Sequence, residues 1–593
     1  MFGNLVRVQG TAALLLMSTL WPPAHADAVY TSPIDLLLAS VNVSGHLTAQ
    51  AGRDLSTSGA NVATGNGSLT AGRNAVIGDL TVHNHLTITA GENLSLTLTL
   101  VSGAGTAMTS GLAMQMGGMV STGTWLALSA GTDIKGNRTS LTAGTGASFL
   151  AGSTFELTGS SITAAESMTL DAGTSMSVTG SAFTAGTSIA MTAGTNLAFN
   201  GNLDATQGFS ATAGNDLQLS GDIKTGRGAS LTAGSSLTLG ASTFQGVVTA
   251  TSGTSMAVIG SVTAGSHASL TAGTALAINS TMSVGNALTI SAGTDMTGSH
   301  AFISTGTHTT ITAGSALAFS GSAVTAGQAI TFQSGESVNI TGSTFTAGSS
   351  ISMTAGTDLN FSGDLNATRG ITAVAATDLH LSGNVRSGVG TALSAGMALT
   401  LGAASFEGVV TATGGTTVTV VGPVSTNSHV SVSAGTSLAI DSTMDVGGSL
   451  ALSAADAIQV AQKVKSQQLA VDTDHLLFMI DAPSDHGAFD VAGQASFVGL
   501  ESIVVAFASS FDFVDGQEFD LILAGSLSGL TESLFSIENL DPFFRYALTM
   551  DAGSVRLALF ALDANGIPEP GVLALLLVAI AAAAWSRARA GRN

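Results

Sequence analysis

The residues that could carry chemistry are few and lie far apart. Only 9% of the 593 residues are charged, so any grouping of His, Asp, Glu, Lys or Arg is conspicuous. His83 and His85 are two apart. On a strand they would share a face and could offer two imidazoles to a metal, but no third ligand lies near in sequence. Asp472, Asp474, His475, Asp485 and His486 form a loose acidic and histidine cluster whose hard oxygens could hold Ca²⁺. Solvated surface charge is the plainer reading of both groups. Asp204, Asp222, Lys224 and Arg227 combine carboxylates with bases, the equipment for cleaving a glycan. Their counterparts 162 residues later are Asn366, Asn384, Arg386 and Val389, so the combination is not repeated. A row of threonines (Thr132, Thr174, Thr195, Thr254, Thr274, Thr294, Thr357 and Thr377) reads as turn chemistry rather than a ligand-matching surface. The Gly-Gly-x-Gly-x-Asp nonapeptide of calcium-binding β-rolls is absent. We therefore assign no catalytic, metal-binding or cofactor-binding residue, and read the chain as not an enzyme.

The elements that hold these residues are set by a repeat. A marker, usually Ala-Gly followed by Thr or Ser, recurs 21 times between Ala51 and Ala454 at spacings of 19, 20 or 21 residues. Four residues after it, sixteen successive repeats from Ile134 to Leu438 all place an apolar residue. Two residues further on, and two before the marker, most positions are apolar again, as in Leu128, Phe149, Leu170, Leu157 and Val178. This period of two predicts strands with one buried face, and the intervening Gly, Asn, Asp and Ser predict turns. No proline falls between Pro33 and Pro423, which suits strands paired on both edges. A helical repeat would need a longer period and 3.6-residue patterning, and a leucine-rich repeat a fixed Asn ladder. The fold expected is all-β: a single-stranded parallel β-helix of about 21 rungs of ~20 residues, with about three short strands per rung. At ~4.8 Å per rung this gives a rod on the order of 100 Å.

A longer period overlies the first. Residues 130–291 align without a gap onto 292–453. Phe244-Gln-Gly-Val-Val-Thr-Ala-Thr returns as Phe406-Glu-Gly-Val-Val-Thr-Ala-Thr. Each block holds eight rungs, and duplication of an eight-rung unit lengthens a ladder without breaking its register. Residues 457–566 lose the marker and hold 11 of the 24 Phe. We expect a β-rich C-terminal cap there, with strands at Phe497-Val-Gly-Leu, Ile503-Val-Val-Ala-Phe and Phe519-Asp-Leu-Ile-Leu and a tight turn at Asp515-Gly516. Residues 27–50 are expected to cap the other end, because bare ends of a ladder invite aggregation.

The termini address the chain. Arg7, the apolar run of residues 11–21 and Ala24-His25-Ala26 read as a signal peptide over residues 1–26. Cleavage after Ala26 would leave Asp27 first. The run is too short to span a bilayer, which takes about 20 residues. At the other end, Pro568-Glu569-Pro570 precedes an apolar stretch over 571–585 and then Arg587, Arg589 and Arg592. Tripeptide, apolar segment and basic terminus, in that order, closely resemble the PEP-CTERM sorting signal of Gram-negative bacteria, here over residues 567–593. The resemblance implies an exosortase-type sorting enzyme as partner, transient passage through the inner membrane by 571–585, and association with exopolysaccharide or biofilm. The arginines would keep that end cytoplasmic. An unprocessed tail anchor would place the protein in the same compartment.

Over residues 51–456 the Leu-Thr-Ala-Gly style of rung resembles the filamentous haemagglutinin family, which implies an adhesin-like β-helical stalk. That family opens with a secretion domain carrying Asn-Pro motifs. This chain has no Asn-Pro, so the resemblance extends to the stalk and not to that secretion route. A net charge of −21 argues against nucleic acid as a partner. With no cysteine, stability must come from packing and backbone hydrogen bonds. The expectation is an exported surface or matrix protein, structural or adhesive, located at the cell envelope or in the extracellular matrix. The alternative is a carbohydrate-active β-helix enzyme, a polysaccharide lyase or hydrolase.

Overall fold

Alternation of apolar and small polar residues leaves a strand no choice but to bury every second side chain, and the chain satisfies this by coiling. A computed structural model describes residues 26–562, together with the backbone of Val6–Gln9. A typical coil runs Gly67–Ala71, Ala75–Ile77 and Leu80–Val82, and the next opens at Leu86–Ala90. Each strand pairs in parallel with its counterpart one coil away, with Leu86 opposite Gly67, Ile88 opposite Leu69 and Ala90 opposite Ala71. The three strands of each coil thus build three parallel sheets around one core, the β-helix expected, with about 23 turns in all. The marker counts fewer, because the coil through Ala28–Ser32, Leu36–Ala39 and Asn42–Val43 and the coils after Ala454 lack it.

The core is made of the columns read from the repeat. All sixteen apolar residues four places after the marker, from Ile134 to Leu438, are at most 2% exposed. The column two residues before the marker is equally buried at Leu128, Phe149, Leu170, Met191, Leu231 and Leu270. Phenylalanines stack between coils: Phe149 meets Phe155 edge-on at 5.8 Å, and Phe183 meets Phe199 at 5.4 Å.

The marker glycine has a specific reason. At Gly72, Gly91, Gly111, Gly131 and Gly152 a Cβ would collide with the carbonyl oxygen of the glycine one coil back. The marker is therefore a close approach between backbones, as well as a turn. The residues around it serve the same contact. Thr174, Thr195 and Thr274 donate their hydroxyls to the carbonyls of Ser153, Thr174 and Thr254 at 2.9–3.0 Å. Asp54, Asp133, Asp216 and Asp378 accept the backbone N–H of Asn74, Thr154, Ser236 and Ala398 one coil on, at 3.0–3.2 Å. These side chains tie coil to coil, a use the sequence pattern alone did not indicate.

The chain divides into two units, Met1–Glu336 with Ile340–Thr346 and Ser337–Asn339 with Ala347–Asn593. In the first, Arg53 and Arg73 lie on Asp35 and Asp54 of the coils before them. The hydrogen bond from Arg53 holds the Asp35 carboxyl below its ordinary range. In the second, coils continue beyond Ala454 as parallel pairs, with His475–Ala482 beside Ser502–Phe507 and that strand beside Phe535–Glu538. The ladder then ends in antiparallel strands: Ser554–Ala561 lies between Glu518–Leu523 and Phe544–Met550. Phe507, Phe511, Phe513, Phe519 and Phe544 cluster beneath them. The expected strands at Ile503 and Phe519 form. The one at Phe497 ends early, since Gly499 turns at φ +81°.

Candidate functional site

His83 and His85 do not share a strand face. They sit in the turn between Leu80–Val82 and Leu86–Ala90, because the strand ends at Val82. Each ring is occupied separately: His83 Nδ1 lies 3.2 Å from the carbonyl of Ala63, and His85 Nδ1 accepts the N–H of Gly105 at 3.3 Å. Trp125 lies over Gly105 and stacks on His85 with ring centres 6.3 Å apart. The Asp472–His486 cluster is likewise dispersed. His475 bonds Ser502 Oγ at 2.8 Å, while Asp485 accepts the amide of Gln462 at the far end of the strand His475–Ala482. Among the described residues, no three His, Asp or Glu side chains come together as metal ligands would.

Asp204, Asp222, Lys224 and Arg227 are exposed on neighbouring coils of one sheet region, and Asp204 stands directly opposite Lys224. Their counterparts occupy a more sculpted surface. Arg386 stands between Asn366 one coil back and Ser405 one coil on. It borders two open cavities of about 260 and 390 Å³. Asn384 at its side donates to Asp364 Oδ1 at 3.0 Å. Among the described residues Arg386 makes no ion pair. In the sequence Arg386 stands only as the counterpart of Lys224, in a block where Asn366 and Asn384 replace the carboxylates. Its partners Ser405, Ser425, Glu407 and Asp445 come from other coils and carry no motif.

One further place where acid and base groups converge was not foreseen. A cavity of about 210 Å³ where coils give way to antiparallel strands is lined by Lys463, His486, Asp490, Glu518 and Asp520. Lys463 pairs with Asp490 at 2.8 Å. Arg556 binds Asp520 at 2.7 Å and Glu518 at 3.1 Å, and the Asp520 hydrogen bond pushes the guanidinium above its ordinary value. His486 packs edge-on against Phe519 with its Nδ1 buried and unbonded. The signal lay in the acidic richness of 472–520, but only the chain reversal at Asp515-Gly516, where Gly516 has φ +77°, brings Glu518 and Asp520 beside His486.

Of the processing residues, Ala24, Pro568, Glu569, Pro570, Arg587, Arg589 and Arg592 lie outside the described residues, as does the apolar stretch 571–585. Ala26 is buried, and Asp27 accepts the N–H of His46 at 2.7 Å, immediately before the first coil strand at Ala28. Val6–Gln9 pairs in parallel with Ala28–Ser32. Among the described residues no helix is long and apolar enough to cross a membrane. Comparison with protein-family models, curated proteins and solved structures finds no match for this chain.

Proposed function

We propose that the chain is an exported surface or matrix protein of a Gram-negative cell: a β-helical scaffold sorted through its C-terminal tail and serving adhesion or the exopolysaccharide of a biofilm. The observation that carries this reading is the coil-to-coil construction. Its outward positions are mostly Ser, Thr, Asn and Gly, and its eight-coil block recurs in register. Such a build adds length by repeating one unit. The composition of both termini supports export, with Ala24-His25-Ala26 shortly before the strand at Ala28. The tail of residues 567–593 supports an exosortase-type partner and transient residence in the inner membrane. Deleting 567–593 tests the reading. The protein should then be lost from the cell surface and accumulate in the periplasm or medium, and cells should lose aggregation or attachment. Unchanged location and unchanged attachment would overturn it.

The cavity at His486 favours a second reading, a carbohydrate-active enzyme. Carboxylates beside an imidazole in a polar concavity could cleave a glycan. Release of reducing or unsaturated ends from matrix polysaccharide, abolished by His486→Ala, would establish it.

A further inference from the structure

The two duplicated blocks differ most usefully along one outward column. In the second block the column reads Asn366, Arg386, Ser405, Ser425 and Asp445, each directly opposite the next across one coil step. In the first block the same positions are Asp204, Lys224, Thr243, Thr263 and Ser283. Lys224 therefore faces a carboxylate one coil back, whereas Arg386 faces the neutral amide of Asn366. Neither Lys224 nor Arg386 makes an ion pair among the described residues, but Arg386 alone presents an exposed guanidinium with five donors beside a neutral neighbour. The surface beside it is hollowed on both sides, by cavities of about 260 and 390 Å³. Glu407 borders the larger and Asp445 the smaller.

The ligand chemistry follows from what the column can and cannot offer. Its strands are paired on both edges, so no backbone donor or acceptor remains to take up a peptide as an added strand. The lining of the two cavities holds no aromatic ring and little apolar depth, which leaves nothing to grip an apolar side chain. A polyanion would meet Glu407 and Asp445 flanking the single cation, within a chain of net charge −21. Donors from Arg386 and Asn366, acceptors from Glu407 and Asp445, and hydroxyls from Ser405 and Ser425 together match pairs of neighbouring sugar hydroxyls. Such groups both donate and accept. Four steps of ~4.8 Å between five coils give a track of about 19 Å, room for a short run of sugar units rather than one.

The geometry points to a neutral glycan chain bound along Asn366, Arg386, Ser405, Ser425 and Asp445, with Arg386 as its anchor. The inference rests on the reading of the protein as a matrix scaffold for its setting. Fractionation of the tail deletion decides that setting, and binding by purified protein decides the site. Full-length protein is tested against immobilised dextran, laminarin and cellohexaose, with alginate and polygalacturonate alongside. At least one neutral glycan should be retained, tenfold or more weakly by Arg386→Ala and less weakly by Arg386→Lys. The matched first-block change Lys224→Ala should leave it unaltered. If Arg386→Ala fails to show the parent's thermal melt, Arg386→Gln takes its place. Absence of binding to every neutral glycan, equal binding by the Arg386 variants, or selective binding of the uronates would overturn the assignment.

Discussion

Gly131 sits between Ala130 and Thr132, and its backbone N–H donates to the carbonyl of Ser110 at 3.0 Å. The glycine is there because of what lies beneath it: a side chain would strike the carbonyl of Gly111. The one-coil repeat of this approach explains why the marker persists even where surface residues have drifted. Ala376 shows what accommodation requires. Its N–H reaches the carbonyl of Ala355 at 3.2 Å, longer than the 2.9–3.0 Å kept by the glycines at 72, 91, 111, 131 and 152. An alanine is thus accommodated at this position in one coil, but a branched side chain adds two more carbons against the neighbouring backbone. Gly131→Val should destabilise the protein by about 1–3 kcal/mol, the usual range for overpacking, read as a lowered denaturant midpoint with unchanged slope. The period and the buried columns were legible in the sequence because alternation leaves a mark on every coil. The reason for the glycine was not, because its clash partner lies about twenty residues away and is another glycine's backbone.

One turn shows how elements are built for stacking. Arg138, Gly159 and Gly180 all take left-handed backbone, at φ +54°, +57° and +59°, and their counterparts His300, Gly321 and Gly342 do the same at +51°, +54° and +56°. The residue after each turn is buried. Ser160 Oγ accepts the N–H of Thr139 at 3.1 Å, and Ser181 Oγ that of Ser160 at 3.0 Å. The second block repeats this, with Ser322 accepting from Ala301 at 3.0 Å and Ser343 from Ser322 at 3.1 Å. Buried hydroxyls thereby satisfy donors that the bend would otherwise strand. Arg138 and His300 pay for a conformation that glycine adopts freely. A left-handed non-glycine residue costs about 1–2 kcal/mol, whereas glycine loses about 0.4–1 kcal/mol through the unfolded chain. His300→Gly should therefore stabilise the protein by about 0.5–1 kcal/mol, seen as a raised thermal midpoint, and Arg138→Gly should match it. The left-handed residue of each turn was not legible beforehand, since an Arg or His carries no signal for that conformation. The candidate site was less legible still. Asn366, Arg386 and Asp445 come from separate coils, and His486 meets Glu518 and Asp520 only after the chain reverses.

At the scale of the whole molecule, stability and function separate along the chain. Every coil contributes the same backbone ladder and touches only its neighbours, so stability accrues coil by coil. The distinctive side chains, in contrast, occur once. Arg386 has only Lys224 as its counterpart, and the cavity at His486 lies beyond both blocks. Duplication therefore supplied spare coils in which one copy could change its outward column while both kept the inward one. Phe183 and Phe345 remain buried at equivalent places, whereas Asp204 and Asn366 differ. Excising residues 292–453 puts this to the test. The join leaves residue 291 followed by the marker at Ala454, in register with the coil it replaces. The shortened chain should fold, with a parallel-strand circular dichroism spectrum unchanged per residue and a melting midpoint within a few degrees of the parent. It should also lose the glycan retention that depends on Arg386. A chain that fails to fold would mean that the second block carries structural information absent from the first, and that the coils are not interchangeable supports for a single specialised column.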